Sequence, residues 1–576
     1  MSEKSTGAEI FARCLAAEGV KHVFGYPGAV LLPIYDMMEQ HAIRHVLTRH
    51  EAGSVHAAEG YARASGRVGV CLTTSGPGAT NLVTGITDAF MDSVPLVAFT
   101  GQVPSPMIGN DAFQEADIVG ITRTVTKHNY MVKDVSEMAR TLKEAFHIAA
   151  TGRPGPVLVD LPKDILVAKA EFAYPDKVEL RSYKPTLVGH ARQIRRVADA
   201  IKEAERPVLY AGGGVIISGA ADDLRKLAEK TRIPVTLTLM GLGGFPGDHP
   251  LFLGMLGMHG TAYANYAVAD CDLLIAVGAR FDDRVTGRLD TFAPHAKVVH
   301  IDIDPTSISK NVRVDIPVVG DARNILRELN KIAPRKRGAG WLNQVQSWKE
   351  AHPLDSEEVK GEIKPQQAIR ALLGACDEDT VITTDVGQHQ MWAAQHYTVK
   401  KPRTFISSGG LGTMGFGFPA ALGAQVALPD ARVVAILGDG GFQMVACEMA
   451  TAMQYGLPVK VLLLNNFFLG MVRQWQDLFW NKQYLNTDLA VNPDFVLLAE
   501  AYGAKGVVIE KPERLKKDLK AALAMPGPVV IDCHVSKEEN VFPMVPAGGG
   551  LGDMIFSGDP NGKPGGSKRR KKAAAG

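Results

Sequence analysis

A chain of 576 residues is too long for one hydrophobic core and predicts three domains. With 46% apolar and 22% charged residues it has the balance of a soluble globular enzyme, and no apolar run is long enough to span a bilayer, so no membrane association is expected. The formal net charge of +2 is carried by Lys563, Lys568, Arg569, Arg570, Lys571 and Lys572; the remainder is mildly acidic, which argues against nucleic acid as a partner.

Met1–Glu9 has neither the apolar centre of a signal peptide nor the acid-poor look of a transit peptide, and the six cysteines are scattered without a C-x-x-C, so a reduced, cytoplasmic protein is expected. Residues 1–185 alternate strand patterns (His22–Phe24, His45–Leu47, Val68–Leu72, Pro95–Phe99, Pro156–Asp160) with helical ones (Glu51–Ser65, Thr80–Met91), which predicts a doubly wound parallel sheet. Glu51 opens a helix directly after a strand. A Glu there ordinarily balances the helix dipole; its rival reading is a carboxylate tuned for acid–base work. Ser75-Gly-Pro-Gly-Ala-Thr-Asn81 joins a strand to a helix and aims main-chain N–H groups at the crevice.

A second α/β unit is expected over 186–345, where Pro207–Tyr210 runs into a triple glycine and Leu273–Val277 into Gly278–Arg284, with Val298–Asp302 following. The charged stretch Pro334–Lys364 reads as a linker. The third unit, 365–550, contains Gly410-Leu-Gly-Thr-Met-Gly415, which matches a dinucleotide fingerprint, but Pro419 just beyond it speaks against the required strand-to-helix turn. Met414, flanked by glycines, is instead a bulky wedge for a flat cofactor, or simply core. Further on, Arg432–Leu437 and Pro458–Leu464 read as successive strands around a helical stretch, Gln443–Tyr455. Asp439 in Gly-Asp-Gly and Asn466 then stand at the carboxyl ends of those strands, two hard oxygen ligands suited to Mg²⁺ and a diphosphate. The bland alternative is a turn in which Asp439 caps the next helix. Residues 558–576 are expected to be a disordered basic tail.

Taken together, Glu51, the Ser75–Asn81 turn, the glycine-rich loop and the Asp439/Asn466 pair resemble the thiamine-diphosphate enzymes of the pyruvate oxidase and decarboxylase type, over about residues 5–555. Within that group the acetolactate synthase family is the nearest match, through Gly101-Gln-Val-Pro104, Asp111–Glu115, Gly152–Pro156, Leu256–Gly260, Arg280–Arg284, His300–Asp304 and Gly470–Trp475. The resemblance implies three doubly wound parallel-sheet domains: a pyrimidine-binding one, a central FAD-binding Rossmann-like one, and a diphosphate- and Mg²⁺-binding one. It implies decarboxylation of pyruvate and transfer of the two-carbon unit to a second pyruvate or to 2-oxobutyrate, the first common step of branched-chain amino-acid biosynthesis.

On this resemblance Glu51 is the acid–base residue at the pyrimidine, Met414 the buttress, and Asp439, Asn466 and the Phe468 carbonyl the Mg²⁺ ligands. Gln388, His389, Gly440 and Gly441 contact the diphosphate, and Gly28, Asn81, Gly412, Leu469, Gly470 and Met471 complete the thiamine site. Phe113, Gln114, Lys163 and Arg284 belong to the substrate site, and Trp475 shapes the acceptor pocket. FAD contacts fall to Arg153, Gly213, Thr238 and Leu239, to Leu256, Gly257, Met258 and His259, to Gly278, Ala279, Arg280, Phe281 and Asp282, and to Asp302, Ile303, Asp321 and Ala322. Active sites shared across a homodimer, or a dimer of dimers, and a small regulatory subunit are implied as well.

The chain departs from the family at Ala29 and Val30, where Gly and Ala are usual; strain at Ala29, a narrowed pocket and weaker channel inhibitors are expected. Gly441 replaces a serine found in some relatives. Pyruvate oxidase, glyoxylate carboligase and an inactive scaffold are the competing readings; the Arg280–Arg284 stretch and Trp475 disfavour the first, and Glu51 disfavours the other two.

Overall fold

Apolar runs of a few residues, each followed by a helix, leave little choice but parallel sheets covered on both faces. The computed structural model, which describes residues 4–335, 339–354 and 358–557, contains three six-stranded, all-parallel sheets; the basic tail lies outside the described residues. The first sheet runs, edge to edge, Arg44–Leu47, His22–Tyr26, Gly69–Thr73, Leu96–Gln102, Pro156–Pro162 and His128–Met131. The third repeats this connectivity with Phe405–Ser407, Val381–Thr384, Val433–Gly438, Lys460–Asn465, Val529–His534 and Lys505–Ile509. The middle sheet is wound differently: Phe252–Met255, Val235–Leu237, Pro207–Ala211, Leu273–Val277, Lys297–Asp302 and Ile316–Val319. Central strands such as Leu273–Val277 and Pro156–Pro162 are buried at every position. All six cysteines are free, four of them buried.

Several elements differ from the sequence expectation. His128–Met131 is a strand that half-polar composition concealed; it is a partly exposed edge. Thr80–Met91 is broken into Pro77–Thr80 and Val83–Asp92, with Asn81 at the joint. Gln443–Tyr455 is two helices, Asp439–Val445 and Met449–Gln454, separated by a 3₁₀ turn over Ala446–Glu448. The expected linker contains the helix Gly340–Ala351, so the boundary drawn at 345 cuts through it. Trp341, Val345 and Trp348 lie on one face of that helix; they pack on the middle domain, and Trp341 Nε1 donates to the Pro207 carbonyl at 3.0 Å.

The first and third domains meet through the helices Glu51–Ser65 and Gly417–Ala427, which touch backbone to backbone. A Cβ on Gly60 would stand 2.0 Å from the Ala420 carbonyl oxygen, and one on Gly423 1.8 Å from that of Ala57, so only glycine permits this approach. The middle and third domains share a continuous buried cluster that includes Leu209, Ile275, Ile382 and Trp392.

Candidate functional site

In open α/β sheets a crevice forms where the strand order reverses, beyond the carboxyl ends of the strands. In the third domain that point lies between Val381–Thr384 and Val433–Gly438. The cleft there is lined by Gln388, His389, Met414, Asp439, Gly440, Gly441, Asn466, Phe468, Leu469, Gly470 and Met471. Residues from four separate stretches of sequence, assigned above to the diphosphate, the metal and the buttress, thus line one cavity.

Asp439 is the first residue of its helix and is buried. Burial lifts its carboxyl to about 6. Asn492 Nδ2 donates to Asp439 Oδ2 at 2.7 Å and so fixes the carboxylate plane. Asn466 Oδ1 accepts from Phe468 N at 3.2 Å, while its Nδ2 donates to Gln388 Oε1 at 3.2 Å. Phe467, between Asn466 and Phe468, takes a φ of 59°, so the main chain turns sharply there. Carboxylate, carboxamide and carbonyl oxygens form the donor set Mg²⁺ prefers. His389 Nε2 is buried without a hydrogen-bond partner, and burial lowers the ring to about 4, so it is neutral at pH 7. Both features fit a metal-bound diphosphate.

The Gln388 side chain is committed elsewhere: Nε2 donates to Gln474 Oε1 at 2.9 Å and to the Glu539 carbonyl at 3.0 Å. It is therefore the main chain at the start of the Gln388–His396 helix that can meet an anion, not the amide. At Gly441 a Cβ would lie 2.0 Å from Asp385 Oδ2, so the space a serine side chain needs is filled by Asp385. The Gly410–Gly415 fingerprint does not form a dinucleotide turn, because an irregular loop separates Phe405–Ser407 from the helix at Gly417. Met414 stands on that loop, partly exposed and facing the cleft.

Glu51 does not line this cleft. It opens the Glu51–Ser65 helix in the first domain, and Asn81 Nδ2 donates to its Oε2 at 2.9 Å. The N–H groups of Arg49 and His50 just before it are accepted by the carboxylate of Glu448, at 3.0 and 3.1 Å. Gly28 lies on the same domain, where a Cβ would meet Thr74 Oγ1 at 2.2 Å. Phe113, 88% exposed, and Gln114, with φ 60°, are on the loop that follows Leu96–Gln102, and Lys163 follows Pro156–Pro162 at the surface. Arg284 is 65% exposed and lies 3.8 Å from the Asp283 carboxylate. Trp475 is half-buried against Phe479 on the helix Gly470–Phe479. Within one chain these groups do not converge on the Asp439 cleft.

Ala29 is unstrained: it begins a 3₁₀ turn and has no positive φ. Val30 packs into the first-domain core over Gly101, where a Cβ would be 2.5 Å from Val30 Cγ2. The expected strain is absent, and the Val30 methyls are absorbed by packing.

The middle sheet reverses between Pro207–Ala211 and Leu273–Val277, and a cleft of about 420 Å³ opens there. Arg153, Gly213, Thr238, Gly278, Ala279, Arg280, Asp282, Asp302, Ile303, Asp321 and Ala322 line it. Two guanidinium groups, the start of the Ala322–Ile332 helix and a buried Thr238 hydroxyl without a partner suit a polyanionic nucleotide. Leu239, Leu256, Gly257, Met258, His259 and Phe281 are outside that lining. Phe281 and Leu256 pack in the middle-domain core, with the Phe281 ring among Tyr210, Phe292 and His300. Gly257–His259 form a loop stitched to Asn265, the Arg284 carbonyl and Val545.

Sequence reading missed Asn492, Asp385, Asp92 and Glu448. None lies in a motif, and each acts through a partner far away in the chain; only the improbability of burying an acid without a partner pointed to the last three.

Models of three thiamine pyrophosphate enzyme domains match the chain: the N-terminal TPP-binding domain over residues 5–121, the central domain over 194–329 and the C-terminal TPP-binding domain over 385–533. A probable acetolactate synthase large subunit of Methanocaldococcus jannaschii is 52% identical over 562 residues, 95% of either chain. The acetolactate synthase large subunit of Haemophilus influenzae is 48% identical over 96% of this chain and 99% of its own. The isozyme 3 large subunit of Escherichia coli is 49% identical over the same shares.

Proposed function

The chain belongs to the acetolactate synthase large-subunit family of thiamine-diphosphate enzymes, and we propose from this premise how its own residues divide the work. The activity is acetolactate synthesis: pyruvate loses CO₂ and its two-carbon remainder joins a second pyruvate, or 2-oxobutyrate. Thiamine diphosphate, when bound, supplies the electron sink for the decarboxylation.

Asp439, Asn466 and the Phe468 carbonyl would hold Mg²⁺, and main-chain N–H groups at Gln388, Gly440 and Gly441, with His389, would hold the diphosphate. Met414 would support the cofactor from below. Glu51 has one oxygen engaged by Asn81, and its Oε1 would be the atom that holds or gives up a proton toward the pyrimidine ring. Phe113, Gln114 and Lys163 would line the route for 2-oxo acids. Arg284, free to turn, would take the acceptor carboxylate in a two-pronged bond, and Trp475 would bound the acceptor pocket. The middle cleft would hold FAD, whose part is structural, since the reaction has no net redox change.

One observation carries this reading: the metal and diphosphate residues line one switch-point cleft while Glu51 stands outside it. A homodimer, in which Glu51 of a second copy completes the site, accounts for both facts. The large-subunit names of the relatives support a small regulatory partner. No helix among the described residues is long and apolar enough to cross a membrane, and with six free cysteines a cytoplasmic site is proposed. The test is product analysis with pyruvate: acetolactate formed only with thiamine diphosphate and Mg²⁺ supports the assignment, whereas acetyl phosphate and peroxide refute it.

A further inference from the structure

Three buried acids, Asp88, Asp92 and Asp385, converge on one place, the loop that carries Met414 and its Ser408 anchor. Asp92 ends the helix Val83–Asp92, and its side chain is fully buried. Its Oδ1 accepts from Gly410 N at 2.7 Å; its Oδ2 accepts from Gly409 N at 2.9 Å and from the Arg63 guanidinium at 2.8 Å. Arg63 closes the ring by donating to the Ser407 carbonyl at 2.6 Å. The next turn is gathered by Ser408, whose Oγ accepts from Gly412 N at 3.1 Å and Thr413 N at 2.9 Å and donates to Asp88 Oδ1 at 2.6 Å. Asp385 takes Gly415 N at 2.9 Å.

The main-chain N–H groups of Gly409, Gly410, Gly412, Thr413 and Gly415 are thus all drawn to buried acceptors. Met414, between the last two, is left facing the cleft. A loop this rich in glycine has no conformation of its own; the acceptors beneath it must supply one. Asp92 does so from the first domain, across a domain boundary, where a charged acceptor holding three donors is worth more than a neutral one.

We propose that Asp92, with Ser408, is a positioning residue that holds the Met414 loop against the thiamine diphosphate site. The inference rests on the family reading of that cleft. Exchanging Asp92 for Asn keeps the shape but removes the nearer of the two carboxylates at Arg63, Glu59 at 3.5 Å being the other, and turns an amide N–H toward N–H donors. Ser408→Ala removes the acceptor for Gly412 and Thr413 with little change of volume.

The full-length chain, wild type and each variant, is titrated with thiamine diphosphate at saturating Mg²⁺ by calorimetry, and kcat, pyruvate KM and melting temperature are measured in parallel. Loss of one such set of bonds is expected to weaken thiamine diphosphate binding and lower kcat, each by about tenfold, in D92N and in S408A. Pyruvate KM is expected to stay within about twofold, because the loop does not contact that substrate in this reading. A purely structural role would lower the melting temperature while leaving cofactor affinity and kcat of the folded fraction at wild-type values, and that result overturns the proposal. Should D92N not fold, S408A decides alone on the same criteria. Failure of the wild type to bind thiamine diphosphate would overturn the family reading itself, so the two failures are distinguishable.

Discussion

Asp439 illustrates how a single side chain ties stability to ligand binding. Burial raises its carboxyl to about 6, so in the ligand-free chain its contribution to stability is complete below the ordinary carboxylate range and is lost as pH rises through about 6. Asp385, also raised to about 6 by burial, acts in the same direction. A bound cation needs the ionised form, so cation binding below that pH must expel a proton, and Mg²⁺ affinity is predicted to fall about tenfold per pH unit below about 6. Titration at pH 5 and pH 7 checks this; equal affinities would contradict it. Asn492 holds Asp439 from 53 residues away, and Asn492→Ala is predicted to weaken the metal by about ten- to a hundredfold at unchanged fold. The Asp439/Asn466 pair was legible because both end strands of one βαβ unit. Asn492 was not, since nothing in its surroundings marks which loop returns to the cleft.

At the scale of elements, the bounds of Glu51–Ser65 are those the sequence pattern suggests, because a His50 cap starts the helix and Gly66, with φ 74°, stops it. The single helix expected over Gln443–Tyr455 failed for a tertiary reason. Glu448 is turned out of register to accept the N–H groups of Arg49 and His50, a contact between domains that no local pattern encodes. Burial raises the Glu448 carboxyl, and those donors offset part of that rise. The missed helix Gly340–Ala351 has a plain apolar face, masked by the charged residues that flank it. Trp341→Ala removes both a packed ring and the bond to the Pro207 carbonyl, and is predicted to cost about 2 kcal/mol of stability, read as a lowered denaturation midpoint. An unchanged midpoint would mean the helix is dispensable to the middle domain.

For the whole molecule, alternation of strand and helix patterns sufficed to read three α/β domains. It did not reveal that the first and third share one strand order while the middle differs, since pairing order depends on crossovers that leave no periodic trace. That order decides where the clefts are, and Glu51 is not among the residues that line the Asp439 cleft of its own chain. A second copy of the chain would then supply the Glu51 that completes the site. Glu51→Gln and Asp439→Asn chains, each inactive alone, are co-expressed and the mixed dimer is purified and assayed for acetolactate. Recovery of up to about half the wild-type turnover per dimer is predicted, because one of the two sites then has both an intact Glu51 and an intact Asp439. A mixed dimer as inactive as its parents would place both residues in the same chain's site and rule out a site shared between two copies.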